Sequence, residues 1–124
     1  MKSISARRRQ IRVKRKIHIR KRLAGTAQRP RVSIYRTHKN IYAQVIDDDE
    51  GRTLLACNGK VAADAEAPEG VSGKCATAYK VGRTLAEAAK AKGIEAMVFD
   101  RSGYLYHGRV AALARGLRDG GMKV

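Results

Sequence analysis

No acidic residue occurs in the first 39 positions of this 124-residue chain, although that stretch holds 15 of its 27 lysines and arginines. The rest carries 12 basic against 11 acidic side chains, so nearly all of the net charge of +16 lies in the first third. Charge kept only for solubility is spread over a surface; a one-ended block is an electrostatic footprint for a polyanion. Long apolar runs are also missing, which excludes a membrane-spanning helix. No apolar stretch follows the N-terminal charges, so no secretory leader is expected. Cysteine is scarce: Cys57 and Cys75 stand apart with no CxxC spacing. Neither a metal site nor a disulfide staple is expected of them, only two small buried side chains.

Residues 1–28 form a basic arm, and residues 29–124 a globular domain. Along the arm, Arg7, Arg8, Arg9, Arg12, Lys14, Arg15, Lys16, Arg20, Lys21 and Arg22 recur every three or four residues. Ile11, Ile17 and Leu23 add a thin apolar stripe. This spacing suits a helix with Gly25 just past its end. Like charges four residues apart repel, so the arm is expected to be largely disordered when free and to order on RNA. The guanidinium fork suits phosphate because it donates two parallel hydrogen bonds. A solubilising or targeting tail is the plainer alternative, but such tails usually mix their charge signs.

Beyond Pro30 the pattern changes. Arg31–His38 alternates, with Val32 and Ile34 opposite Ser33, Tyr35 and Thr37. Asn40–Asp47 alternates likewise, with Ile41, Ala43 and Val45 opposite Tyr42, Gln44 and Ile46. Period-two alternation predicts strands with one buried face. A turn at His38–Asn40 makes them a hairpin, and the acidic turn before Gly51 leads to a third strand over Arg52–Cys57. A loop over Asn58–Gly73 follows. A helix then runs from a Ser72 cap to about Lys92, ended by Gly93, with Cys75, Ala78, Gly82, Leu85 and Ala89 on one face. Gly82 in that stripe implies close approach to a sheet. Ile94–Phe99 is continuously apolar at Met97–Phe99, as in a strand covered on both faces and reached by a right-handed crossover. The last helix carries Val110, Leu113, Ala114 and Leu117 on one face and stops at Gly120–Gly121. The expected fold is α/β: a mixed sheet of a three-strand antiparallel meander plus one crossover strand, packed by helices, in the order β-β-β-α-β-α after a basic N-terminal extension.

Two segments of the domain can carry recognition. The hairpin gathers Arg31, Tyr35, Arg36, His38, Lys39, Asn40, Tyr42 and Gln44, and exposed tyrosines on a flat sheet can stack on bases or pack on RNA sugars. Ordinary strand surface would look the same, since tyrosine favours strands. The loop from Asp100 holds Arg101, Ser102, Tyr104, Tyr106, His107 and Arg109 around two glycines, with a helix N-terminus at Gly108 able to face an anion. A turn stiffened by its tyrosines is the alternative there. Catalysis has little support: His18, His38 and His107 are scattered without an evident nucleophile, and the 47–50 acids read as a turn. Asp100 at a strand end resembles a nuclease carboxylate, but no partner carboxylates for a two-metal site are evident. No cofactor, metal or small-molecule substrate is expected.

Asn40–Asp47 and the run Phe99-Asp100-Arg101-Ser102-Gly103-Tyr104-Leu105-Tyr106-His107-Gly108-Arg109-Val110 resemble the two signature segments of the bacterial large-subunit ribosomal protein L-eighteen family. Arg29-Pro30-Arg31 leading into Tyr35-Arg36, and Ala88-Ala89-Lys90 with Lys92-Gly93-Ile94, match as well, and the likeness extends over residues 7–124. The resemblance implies a non-catalytic, cytoplasmic ribosomal protein that binds 5S ribosomal RNA and contacts 23S RNA. It implies a place in the central protuberance near ribosomal protein L-five, with RNA contacts from the arm, from Arg36–Gln44 and from Arg101–Arg109. The chain departs from the family pattern after its third strand, where Ala56-Cys57-Asn58-Gly59 replaces a run of small hydroxyl residues.

Overall fold

A computed structural model describes residues 3–20, 24–62 and 66–124, except the side chains of residues 19 and 20. Its elements run α1 (Ile4–Arg20), β1 (Arg31–Arg36), β2 (Ile41–Asp47), β3 (Arg52–Asn58), α2 (Gly73–Ala91), β4 (Val98–Asp100) and α3 (Arg109–Asp119). The expected β-β-β-α-β-α order is there, with the basic extension forming a helix ahead of it.

The sheet has the order β3-β2-β1-β4. The meander is antiparallel throughout, and β4 lies parallel to β1, Val32 facing Phe99. The alternation in β1 and β2 has a direct physical outcome. Val32, Ile34, Ile41, Ala43 and Val45 are buried in the main core with Leu85 of α2 and Leu113 and Leu117 of α3. Ser33, Tyr35, Tyr42 and Gln44 face away from that core, Tyr35 60% and Tyr42 37% exposed. Each fully buried Leu or Ile contributes about 1.5–3 kcal/mol, so this one-sided core fixes the register against a one-residue slip.

Two expectations are corrected. Gly82 marks close approach to α3, not to the sheet: a Cβ there would collide with the Leu113 carbonyl oxygen and come within 2.9 Å of the Leu117 nitrogen. Gly116 is the reciprocal contact, since a Cβ on it would collide with the Tyr79 carbonyl oxygen. The apolar run at 97–99 is a short edge strand, with Val98 and Phe99 half-buried rather than covered on both faces. Phe99 meets Tyr106 edge-on at 6.1 Å instead. The expected end of α1 just before Gly25 falls on residues 21–23, outside the described residues. Gly25 lies against the sheet, its N–H donating to Asp48 Oδ2 at 2.7 Å and its carbonyl accepting from Asp48 N at 3.0 Å.

The arm is helical over Ile4–Arg20, where repulsion between like charges predicts disorder in the free chain. Ser3 opens the helix, its Oγ accepting from Ala6 N at 3.1 Å. Its described isoleucines and valine contribute little burial, since Ile4, Ile11, Val13 and Ile17 are 46–70% exposed. The helix is instead set against the turn at 102–104, described below. Lys21, Arg22 and Leu23 lie outside the described residues, as does the Arg20 side chain. Cys57 is buried as expected; Cys75 is only half-buried, and both are free thiols.

Candidate nucleic-acid interface

A turn in an unusual backbone conformation follows β4. Ser102 has φ 55 and Gly103 φ 82, the left-handed region that a serine enters only when other contacts over-determine it. Those contacts are present. Ser102 N donates to Asp100 Oδ1 at 2.8 Å. The Ser102 hydroxyl lies 3.0 Å from Ser33 Oγ and accepts from Ile34 N at 3.3 Å. Asp100 is fully buried, and its Oδ2 accepts from Arg31 Nη1 at 2.7 Å. The same guanidinium grips Asp48 through Nε and Nη2, both at 2.9 Å. The hydrogen bond to Asp48 first, and the one to Asp100 after it, raise the Arg31 pKa against the opposing effect of burial.

Tyr104 continues the turn inward. Its ring lies between two cations, 5.1 Å from the Arg12 guanidinium of α1 and 4.9 Å from that of Arg36 in β1. Its hydroxyl bonds the Arg36 backbone, donating to the carbonyl and accepting from the N–H, each at 3.3 Å. Arg101 donates to the Tyr104 carbonyl at 2.6 Å, and Arg109 donates to the Thr37 carbonyl at 2.9 Å, tying the loop to the hairpin turn. That turn is closed by Thr37, whose N–H donates to the Asn40 carbonyl at 2.8 Å. His38, Lys39 and Asn40 stand exposed at its tip.

The residues singled out from the sequence therefore separate into two sets. Arg7, Arg8, Arg9, Lys14, His38, Lys39, Asn40, Gln44, Tyr106 and His107 are exposed, and Tyr35 and Tyr42 pair across the strands with ring centroids 6.1 Å apart. Arg12, Arg15, Lys16, Arg36, Arg101 and Arg109 are half-buried along the same side. Arg31, Ser102 and Tyr104 are buried. They belong to the scaffold beneath the surface rather than to the surface, because their polar atoms are taken up by the domain itself. Asp48 and Gly25 were not read as members of this assembly. The acidic run gave only a turn signal, and glycine's close approach leaves no chemical mark in a sequence.

The open face of the sheet and α1 enclose a cleft of about 450 Å³, lined by Arg12 and Lys16 on one wall and Ser33, Tyr35, Gln44 and Ser102 among the other lining residues. Beside it, about 410 Å³ of open concavity runs along Tyr35, Thr37 and Tyr42. Aromatic faces for stacking, amide and hydroxyl groups for hydrogen bonds, and flanking cations for phosphate make this a surface suited to a nucleic acid. The carboxylate that resembles a nuclease residue, Asp100, is sealed away from solvent and engaged on both oxygens. Among the described residues no group of three or more His, Cys, Asp or Glu side chains could hold a metal ion. No described helix is long and apolar enough to cross a membrane.

Fold and surface together define a small, one-sidedly basic α/β domain of the RNA-binding kind. Residues 6–124 match the family described as ribosomal L18 of archaea, bacteria, mitochondria and chloroplasts. The chain is similar to proteins named large ribosomal subunit protein uL18. It is 50% identical over 112 residues to that of Chloroherpeton thalassium, covering 90% of both chains. It is 49% identical over 113 residues to that of Lactococcus lactis, covering 91% of each. With that of Nitratidesulfovibrio vulgaris strain DP4 it shares 46% over 112 residues, 90% of this chain and 92% of the relative. The chain belongs to the ribosomal L18 family, a family of structural proteins rather than enzymes.

Proposed function

We propose that this chain, a constituent of the large ribosomal subunit like the relatives it matches, binds 5S ribosomal RNA and helps attach it to 23S RNA in the central protuberance, beside ribosomal protein L-five. The cytoplasmic ribosome is its place of action. One observation carries the reading: the exposed Tyr35, paired with Tyr42 across the strands, shares a cleft with Arg12 and Lys16 of the arginine-rich α1. Two kinds of contact follow. Cations of α1 neutralise phosphates and release counterions, which favours any RNA. The sheet face meets sugars and unstacked bases, and that contact depends on RNA shape. Arg31, Ser102 and Tyr104 act through the groups they hold in place.

The test is binding to 5S RNA and to a transfer RNA at about 0.2 M salt, where nonspecific attraction is weakened. The proposal expects clear preference for 5S RNA. Equal affinities would reject it in favour of a general basic RNA chaperone.

A further inference from the structure

Helix α1 meets the 102–104 turn at a glycine. A Cβ built on Gly103 would collide with the Arg12 carbonyl oxygen and lie 3.0 Å from the Lys16 nitrogen, one helical turn further on. Gly103 also has φ 82, so two independent constraints meet at one residue. Beside this crossing the Tyr104 ring joins Arg12 of the helix to Arg36 of the sheet.

We infer that Gly103 is a positioning residue for RNA binding: it lets the basic helix lie directly on the 102–104 turn, so that helix and sheet face present one surface to one RNA. This rests on the RNA-binding reading above. The described isoleucines and valine of α1, Ile4, Ile11, Val13 and Ile17, stay exposed, so they do not fix where the helix sits. Cation–π contacts bias its position without locking it. Shape adds a sharper constraint: the backbone of α1 comes this close to the turn at a residue that has no side chain. Phosphates bound along α1 then complete the docking, with the arm already aimed along the open face. An arm tethered without this contact would still attract any polyanion, but from many directions.

The experiment uses the full chain in complex with 5S RNA. Spin labels at Gln10→Cys and Glu87→Cys, both exposed positions, in a Cys57→Ala, Cys75→Ala background, report the distance from α1 to the domain. Gly103→Asn separates the two constraints, because asparagine tolerates positive φ yet brings a Cβ. Gly93→Asn is the control: its φ is 81 and nothing lies within 4 Å of its added Cβ. The native chain and the control should give one narrow distance and the same affinity for 5S RNA. Gly103→Asn should broaden or shift that distance and weaken 5S binding about tenfold, with transfer RNA binding and the salt slope unchanged, because lost pre-organisation removes no phosphate contact. A Gly103→Asn variant with the native distance and native 5S affinity overturns the inference, as does an equal loss in the control. If the distances respond as expected but the native chain shows no preference for 5S RNA, the RNA reading fails while the docking contact stands.

Discussion

The Arg31 guanidinium and the Asp100 carboxylate, 69 positions apart in sequence, meet at 2.7 Å beneath the candidate interface. Through Asp100 Oδ1 the same carboxylate holds Ser102 in its left-handed conformation, and through Ser102 it sets the turn that faces α1. Removing Asp100 leaves a guanidinium only 10% exposed and still paired with Asp48. Asp100→Ala should therefore destabilise the domain by about 3 kcal/mol, the usual cost of breaking a buried ion pair from one side. Urea unfolding monitored by circular dichroism measures it. Full stability in the variant would show that the pair does not organise the turn.

Gly82→Ala should destabilise although alanine is the better helix former. The propensity gain is about 1 kcal/mol, but overpacking a tight crossing costs about 1–3 kcal/mol, and here the obstruction is backbone of α3 that cannot swing aside. A thermal melt compares it with Glu87→Ala on the exposed side of α2, which should be near neutral.

Alkaline pH should weaken the fold. Burial raises the Cys57 thiol pKa, and burial followed by the hydrogen bond to Asp119, 2.6 Å from the hydroxyl, raises that of Tyr79. Both groups prefer to stay protonated when folded. Their contribution is complete below the unfolded pKa values, about 8.5 for thiol and about 10 for phenol, and is lost as pH rises through the folded values. Urea midpoints should fall between about pH 8 and pH 10.5, and the drop should be smaller in a Cys57→Ala, Tyr79→Phe double variant. An identical drop in that variant would place the alkaline sensitivity elsewhere.

Loss of the arm should change how binding depends on salt. Deleting residues 1–28 removes the helix that carries Arg7, Arg8 and Arg9, and with it the phosphate contacts that release counterions. Affinity for both 5S RNA and transfer RNA should fall and the plot of log affinity against log salt should flatten. An unchanged slope would mean that α1 does not touch phosphate.

The chain's face patterning was legible because burial on one side of a sheet imposes a period of two, which β2 follows along its length and β1 follows from Val32 to Tyr35, the buried Arg31 breaking it. The division of the candidate residues between surface and scaffold was not. Arg31 reads as one more cation beside Arg29, and only the fold brings Asp48 and Asp100 to it. Tyr104 and Tyr106 read alike, yet one is buried between two guanidinium groups and the other is exposed with its hydroxyl accepting from Arg118 at 2.9 Å. The contacts of Gly25, Gly82 and Gly103 were hidden for one reason: a missing side chain does not say what fills its place.

The central claim is that cations near the free end of α1 attract RNA without choosing it, while the sheet face chooses. The ratio of affinities for 5S RNA and transfer RNA tests this in two variants: Arg7→Gln, Arg8→Gln, Arg9→Gln in the arm, and Tyr35→Ala, Tyr42→Ala on the face. The arm variant should lose affinity for both RNAs alike and keep the native ratio. The face variant should lose about tenfold or more for 5S RNA alone, the worth of one or two stacked bases or sugars. A ratio that collapses in the arm variant and survives in the face variant would contradict the account.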